Sequence, residues 1–376
     1  MLRLMKLLAL SVHVVALSSK LPTSLLGALE VPTVLRALAQ HSQTVPGAAL
    51  CSAGGLAGSA AAAQEQYELV SEAMALEATC MPPLCHPLDL APAIEALQRG
   101  SLDAPLLSDL GAAVESLSEL SAWAQSEAAE CPGLRSLAAG ASPPARLAAR
   151  LPSAFVDLPS GGVALSSVAF PLLSRLRTAV RSTDGAVAQE MKSLLARGDF
   201  TSQLVGPSAD AGAAQRKDGR LVVAVAPQNK RSVGVEVARS RRGSTVYVEP
   251  HSVVGLSAAS RAAQETLEAA EARLLRGLAS LVIKEIQPLC AAVDAAAELD
   301  AVLARARLGR EWKGVVPQVG LEGRLCLPSA RHPLIALRAI RSQKKAQRDR
   351  LEAQRDTQRG KLEQGTKRFG GGGGGG

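Results

Sequence analysis

Apolar residues recur at steps of three and four along most of this chain, which is the spacing that places them on one face of a helix. The stripes lie at residues 31–49, 59–78, 94–100, 108–124, 172–196, 252–286 and 289–312. We therefore predict helices there, with Ser108 and Asp109 capping the fourth helix and Pro288 breaking or kinking the last pair. Clusters of proline and glycine predict loops at residues 81–92, 131–162 and 198–214.

The pattern changes to the two-residue period of strands between residues 221 and 249. Valines stand at alternate positions on three short runs there, and β-branched side chains in this pattern favour a pleated surface. Turn residues at 227–229 and 242–244 separate the runs, so we predict a small antiparallel β meander that needs helices to dock on. Residues 325–335 predict one further strand. The predicted fold class is therefore mainly α, with a small antiparallel sheet.

The composition supports a helical fold. The chain has 376 residues, enough for two or three domains, and aromatic residues make up 2% of it. Few aromatics favour helices packed through small and aliphatic side chains over a β-sandwich. The six cysteines show no paired framework. Cys80, Cys85 and His86 lie close together but lack a fourth ligand, so we expect reduced, partly buried thiols rather than a zinc site.

Positive charge is concentrated in two segments, although the whole chain has a net charge of +8. Residues 216–242 hold eight Lys/Arg and two acids, and residues 338–368 hold eleven Lys/Arg and four acids. Basic segments favour polyanions such as nucleic acid or anionic lipid, and a solvated charged face is the alternative interpretation. The second segment predicts a charged helix with almost no apolar face, and the seven glycines after it predict a disordered, low-complexity end.

The first 28 residues predict a leader segment. They contain Arg3 and Lys6 before an apolar run, and no acidic residue precedes Glu30. A secretory signal and an organelle transit peptide both fit this composition, whereas His13 in the apolar run disfavours a membrane-spanning helix. We favour a transit peptide for the chloroplast, with the mitochondrion or the cytoplasm as alternatives, and we expect no stable membrane insertion.

Several motifs resemble the MutS family, in its type-two branch. The residues that carry the resemblance lie at 218–220, 243–250, 253, 297–300, 304–307 and 330–334. Each motif is short, but their order and spacing together are specific, and the resemblance covers roughly residues 29–337. It implies a helical core and lever that carry a β clamp, and it implies binding of nucleic acid at the clamp.

The resemblance also implies an order of domains. We expect a leader at 1–28, a helical core and lever at 29–215, the clamp at 216–251, lever helices at 252–316, the start of an ATPase-like domain at 317–337 and a basic tail at 338–376. Members of the family are associated with mismatched or branched DNA, with negative regulation of recombination and with stalled ribosomes. DNA is therefore the expected partner and RNA or the ribosome the alternative, because phosphate contacts look alike on both.

The clamp contains the candidate site. We expect its basic side chains to contact phosphates, which gives affinity without reading the base sequence. These residues are Lys217, Arg220, Lys230, Arg231, Arg239, Arg241 and Arg242. Glu249, at the end of the third predicted strand, is expected to pair with Arg220 or Arg242 rather than to act as a base. A stacking platform for single strands is disfavoured because Tyr247 is the sole aromatic residue in this segment.

The chemistry that the resemblance implies is ATP hydrolysis. That reaction needs a glycine-rich loop of the form G-x-x-x-x-G-K-[ST], and the sequence contains none. The resemblance ends near Arg338, so we expect a chain truncated before the ATPase. We therefore expect no cofactor, metal or catalytic residue in this chain, although ATP and Mg²⁺ serve the full-length family, and no homodimer through an ATPase domain. The alternative function is a non-catalytic helical scaffold with a basic tail.

Overall fold

A computed structural model describes residues 27–55, 57–84, 86–126, 130–206, 214–241, 243–320 and 325–369 of the chain. Helices dominate these residues, and the strands form one two-stranded and one four-stranded antiparallel sheet. The predicted fold class, mainly α with a small antiparallel sheet, is therefore confirmed. The predicted leader, apart from Gly27 and Ala28, and the predicted glycine-rich end at 370–376 lie outside the described residues.

The helices are α1 (Val31–Ala39), α2 (Val45–Ala53), α3 (Ala60–Ala75), α4 (Ala91–Arg99), α5 (Ala104–Gln125), α6 (Pro132–Gly140), α7 (Ala145–Ala148), α8 (Pro171–Leu195), α9 (Gly198–Thr201), α10 (Lys230–Val233), α11 (His251–Trp312) and α12 (Pro333–Phe369). The strands are β1 (Phe155–Asp157), β2 (Val163–Leu165), β3 (Gln215–Lys217), β4 (Arg220–Val225), β5 (Gly234–Arg239) and β6 (Val246–Pro250). Short 3₁₀ turns lie at Ala78–Cys80, Pro152–Ala154 and Pro227–Asn229. Among the described helices, none has an apolar stretch that would cross a lipid bilayer.

Proline explains where the predicted loops were wrong. The segment 131–162 contains α6, α7 and the strand β1, although its prolines predicted a loop. Pro132 opens α6, and Pro144 stands immediately before α7. A proline at the start of a helix is tolerated because its missing N–H has no partner in the first turn anyway. The same prolines that break a helix interior therefore mark helix starts here.

The predicted start of one helix was wrong, and of the two outcomes predicted at Pro288 the break did not occur. The helix α5 begins at Ala104, four residues before the predicted cap at Ser108, because the carboxylate of Asp103 accepts a hydrogen bond from the Leu106 N–H at 3.1 Å. The helix α11 continues through Pro288 without a break and includes 62 residues.

The predicted strand at 325–335 is absent. Residues 325–332 have no helix or strand assignment, and α12 starts at Pro333. Pro328 and Pro333 lack the backbone N–H that a strand ladder requires. Leu325 and Leu327 are exposed, so no packing partner among the described residues favours a strand there.

The contacts divide the chain into two units. The first unit comprises Met1–Asp89, Ser116–Pro143 and Gln287–Gly376, and the second comprises Leu90–Glu115 and Pro144–Ile286. Both units combine stretches that are distant in the sequence, since α5 and α11 each contribute residues to both.

A buried carboxylate organises the first unit. Asp300 of α11 is fully buried, and its carboxylate accepts hydrogen bonds from the Gln43 N–H at 2.9 Å, from the Thr44 N–H at 2.8 Å and from the Thr44 hydroxyl at 2.9 Å. Arg307, two turns further along α11, donates to the same carboxylate at 3.3 Å and to the His41 carbonyl at 2.8 Å. The pair therefore holds the connection between α1 and α2 against α11.

Side chains also cap helix ends in the first unit. The Arg310 guanidinium donates to the carbonyl oxygens of Ala73, Met74 and Leu76 at 2.8–2.9 Å, where α3 ends. The Glu72 carboxylate accepts from the Gly133 and Leu134 N–H groups at 3.1 and 2.9 Å, where α6 begins. Helix ends leave such groups without partners inside the helix, so these contacts satisfy them.

The four-stranded sheet of the second unit has the order β3-β4-β6-β5. The three predicted strands are present, and β3 is an additional strand at one edge. The order differs from a simple meander at one point, because β6 lies between β4 and β5. The connection from β4 to β5 is a 3₁₀ turn followed by α10, where a tight turn was predicted. This longer connection leaves the position beside β4 to β6, and β5 forms the other edge of the sheet.

One face of the sheet forms the core of the second unit. Val223 pairs with Val248 and Val225 with Val246, so their side chains share a face, and all four are fully buried. They pack in a cluster with residues of α8, α9 and the start of α11, namely Val187, Met191, Leu194, Phe200 and Val253. A small sheet needs this helix packing to be stable in water.

Candidate nucleic-acid interface

The hairpin between β3 and β4 brings the first two predicted residues together. Its two turn residues, Asp218 and Gly219, have φ values of 48° and 73°, the left-handed conformation required in a two-residue hairpin turn. Lys217 and Arg220 are therefore direct cross-strand partners on one face. The Asp-Gly dipeptide is the sequence signal that predicts this hairpin, and with it the strand β3 that the alternation of valines did not reveal.

Both side chains already have partners on that face. The Lys217 ammonium nitrogen lies 4.0 Å from the centroid of the Tyr247 ring, a cation–π contact. The Arg220 guanidinium donates to Glu249 Oε2 at 3.1 Å, which confirms the expected pairing of Glu249 with Arg220. Glu249 is fully buried, and its other oxygen has no hydrogen-bond partner among the described residues. Arg220 therefore neutralises a buried carboxylate.

The short helix α10 carries the next two residues. The Lys230 ammonium donates to the Glu236 carboxylate at 2.9 Å. Arg231 is exposed, and no carboxylate of the described residues lies within ion-pair distance of its guanidinium. Its backbone carbonyl lies 3.1 Å from His251 Nε2, at the start of α11. Arg231 is therefore available to a ligand, whereas Lys230 is partly neutralised.

A β-bulge positions Arg239. The register shifts between Glu236 and Ala238, so that Glu236 lies opposite Val248 and Arg239 opposite Val246. Residues three apart point to opposite faces of a regular strand, and the extra residue of the bulge places these two on the same face. The Arg239 guanidinium then holds the Glu236 carboxylate with two hydrogen bonds, from Nε and from Nη2, the latter at 3.1 Å.

The Glu236 carboxylate is thus shared by two cations. Hydrogen bonds from Arg239 and then from Lys230 lower the pKa of Glu236 to about 2. The group is a permanent negative charge at neutral pH. This role was missed at the sequence level because the spacing of Glu236 and Arg239 predicts opposite faces, and a bulge has no simple sequence signal.

The hairpin turn between β5 and β6 carries the last predicted residues. The Ser240 N–H donates to the Thr245 carbonyl at 2.9 Å, and the Gly243 N–H donates to the Ser240 carbonyl at 2.9 Å. Gly243 has a φ of 69°, which favours glycine. Arg241 is exposed in this turn, and it pairs with no carboxylate of the described residues. Arg242 lies outside the described residues.

The register places the predicted residues at two ends of the sheet. Lys217, Arg220 and Arg231 lie where β6 ends, and Arg241 lies where β6 begins. The strand β6 has five residues, so the two ends are separated by about 17 Å. The site therefore consists of two basic groups, with the Glu236 network on the edge strand between them.

The other basic segment is the helix α12. Its described side chains from Arg338 to Arg355 are largely exposed, and Arg348 makes an ion pair with Glu352 at 3.6 Å. The helix is joined to the first unit through Leu334, which packs with Ala37, Val34 and Trp312. These charges therefore lie on a solvated helix.

No group of three or more His, Cys, Asp or Glu in the described part of the chain is arranged to hold a metal ion. Cys85, one of the residues weighed as a ligand, lies outside that part. The ring of His86 accepts a hydrogen bond from the Leu88 N–H at 2.9 Å, which gives this histidine a structural contact. Burial raises the pKa of the Cys51, Cys131 and Cys290 thiols, which favours their protonated form.

Curated proteins named Endonuclease MutS2 are similar to this chain. One from Geobacillus thermodenitrificans (strain NG80-2) is 31% identical over 164 residues, which is 43% of this chain and 20% of that protein. One from Anaeromyxobacter sp. (strain Fw109-5) is 29% identical over 319 residues, or 81% of this chain and 38% of that protein. One from Thermotoga neapolitana (strain ATCC 49049 / DSM 4359 / NBRC 107923 / NS-E) is 35% identical over 120 residues, which is 32% of this chain and 16% of that protein.

No family model matches the chain. The chain spans between 16% and 38% of the length of these three relatives. The similarity is therefore to a part of each relative, at about 30% identity.

Proposed function

Because this chain is related to MutS2-type proteins, as its motifs predicted, we propose that it binds nucleic acid through the basic side chains of the β3–β6 sheet. Endonuclease is part of the relatives' name, and the chain aligns with a minor part of their length. The proposal is therefore limited to binding, with phosphate contact as the role of the basic residues.

The observation that supports this proposal most directly is the pair of exposed arginines, Arg231 and Arg241, at the two ends of a packed sheet. Neither has an acidic partner among the described residues, so neither must break an ion pair to bind a phosphate. They lie at opposite ends of β6, a strand about 17 Å long, which is about half a turn of duplex DNA. Two such contacts fix the orientation of a duplex without reading its bases.

We propose branched or mismatched duplex DNA as the ligand, and through it a role in negative regulation of recombination. RNA in the ribosome is the second candidate, because phosphate contacts do not distinguish the two. Phosphate contacts at two fixed ends of a sheet favour a ligand of defined shape over a flexible single strand.

The test compares two variants that each lose three positive charges. The sheet variant carries Gln at Arg231, Arg239 and Arg241, and the tail variant carries Gln at Arg348, Arg350 and Arg355 of α12. Binding of a fluorescein-labelled linear duplex is measured by anisotropy at several salt concentrations. Each lost phosphate contact lowers the slope of log K against log salt by about 0.9. We expect the sheet variant to bind more weakly than the tail variant, and we expect its affinity to depend less steeply on the salt concentration.

The opposite ranking would favour the other function. If the tail variant lost all binding while the sheet variant bound normally, a helical scaffold with a basic tail would replace the clamp proposal. Circular dichroism of both variants serves as the folding control, since all six positions are on exposed or partly exposed side chains.

We also propose that this chain alone does not bind ATP tightly, because no phosphate-binding loop occurs in residues 1–376. Calorimetric titration with Mg-ATP should give no heat of binding, and micromolar binding would contradict this.

Residues 1–28 carry a separate proposal, because we expect them to direct the protein to the chloroplast. A fusion of these residues to a fluorescent protein tests it, and fluorescence confined to the cytoplasm would contradict it.

A further inference from the structure

One point on the sheet already holds an anion between two cations. The Glu236 carboxylate accepts a two-pronged pair of hydrogen bonds from Arg239 and one from Lys230 at 2.9 Å. A guanidinium fork together with an ammonium group is also the donor set that binds phosphate groups in proteins. The carboxylate therefore occupies a position whose donors suit a phosphate.

The backbone holds these donors in place. The bulge between Glu236 and Ala238 places Arg239 beside Glu236, and α10 ends at the residue before β5, which brings Lys230 to the same point. The site is open to solvent, since the side chains of Glu236 and Lys230 are each 31% exposed and that of Arg239 is 54% exposed. Exposed ion pairs of this kind contribute little net free energy, so an external anion can replace the internal one.

We propose that Glu236 occupies a phosphate site formed by Lys230 and Arg239, and that it competes with a nucleic-acid phosphate for this site. The inference rests on the proposed function and adds a regulating residue to it. When a phosphate enters, the carboxylate rotates away and keeps its charge beside the ligand. While the carboxylate occupies the site, the sheet neutralises one phosphate fewer than its cations would allow, which weakens retention on any polyanion.

The test is the isosteric substitution Glu236→Gln, which removes the competing charge and keeps the size of the side chain. Binding of a fluorescein-labelled linear duplex is measured as a function of salt. The slope of log K against log salt should become steeper by about 0.9, which corresponds to about fivefold tighter binding at about 150 mM salt. The double variant that carries both Glu236→Gln and Arg239→Gln should lose most of this gain in affinity, because the site then lacks its guanidinium fork.

The matched control is Glu268→Gln, which changes the net charge equally on an exposed turn of α11. Glu268 accepts a hydrogen bond from Gln264, and it pairs with no cation of the described residues. We expect a gain of less than twofold from this control. An equal gain from Glu268→Gln, or no gain from Glu236→Gln while the unmodified chain binds, would overturn the inference and leave the proposed function intact. If neither the unmodified chain nor any variant binds a duplex, the proposed function fails, and the inference fails with it.

Discussion

Gly234 is fixed by the backbone of the neighbouring strand and not by its own torsion angles. Its φ of 176° is ordinary extended backbone. A β-carbon there would collide with the Glu249 carbonyl oxygen and lie 2.9 Å from the Pro250 Cα. Because both obstacles are main-chain atoms, they cannot rotate away. We expect Gly234→Ala to destabilise the sheet by about 1–3 kcal/mol, the usual range for overpacking, measured by urea unfolding.

Gly255→Ala is the control for that substitution. A β-carbon at Gly255 meets nothing within 4 Å, and the residue lies inside α11. Alanine should therefore stabilise this helix by about 0.5–1 kcal/mol. Equal effects of the two substitutions would contradict the close approach of β5 and β6.

The titration of Glu236 reports directly on its two cations. Its pKa lies at about 2, below the ordinary value of 4.5, because Arg239 and Lys230 donate to its charged form. A lowered pKa means that the pairing stabilises the fold fully above pH 4.5 and that this contribution is lost as the pH falls through about 2. The ¹³C chemical shift of the carboxyl carbon should show a midpoint near 2, and Arg239→Gln should move it towards 4.5. A midpoint near 4.5 in the unmodified chain would contradict the pairing.

The partner of a single residue was predictable where a buried charge requires an opposite charge. Glu249 needs a cation because it ends a buried strand, and Arg220 is that cation. The Glu236 site was not predictable, because it depends on a bulge that reverses the alternation of faces. A count of charges in residues 216–242 predicts a basic cluster, but the register decides which of those charges are already neutralised.

At the scale of elements, hydrophobic periodicity located the long helices because packing of an apolar stripe determines them. It failed where a local contact decides an end, as at Asp103, or where proline opens a helix, as at Pro132. The order of the strands was not predictable either. It depends on the length of the connection between β4 and β5, which α10 and its preceding turn provide.

The motif at 297–300 has a structural explanation at this scale. Asp300 is its buried charged member, and it holds the α1–α2 connection through hydrogen bonds from Gln43 and Thr44 and an ion pair with Arg307. Asp300→Ala leaves the buried N–H and hydroxyl of Thr44 without their acceptor and removes the carboxylate that pairs with Arg307. It should therefore cost about 3–5 kcal/mol in the free energy of unfolding. Urea unfolding measures this cost.

Glu298 provides the matched control, because it lies in the same motif but is exposed. We expect Glu298→Ala to change the free energy of unfolding by less than about 0.5 kcal/mol. A similar loss from both substitutions would contradict the assignment of that cost to the Asp300 contacts.

At the scale of the whole molecule, two basic segments differ in what surrounds their charges. Those of the sheet lie on strands, a short helix and a turn that pack around a buried core, and several are held by partners. Those of α12 lie on an exposed helix joined to the first unit near its start. Fixed charges select a ligand by shape, whereas a solvated helix binds polyanions generally and loses side-chain entropy as it does so.

This difference predicts how the two segments divide the binding of DNA. We expect the unmodified chain to prefer branched over linear duplexes of equal phosphate count, because Arg231 and Arg241 contact two positions at a fixed separation. The tail variant should bind both ligands more weakly and keep the ratio of the two affinities. The sheet variant should bring that ratio close to one. The measurement is a salt-matched competition between the two duplexes, and a ratio that is lost in the tail variant but kept in the sheet variant would contradict recognition by the sheet.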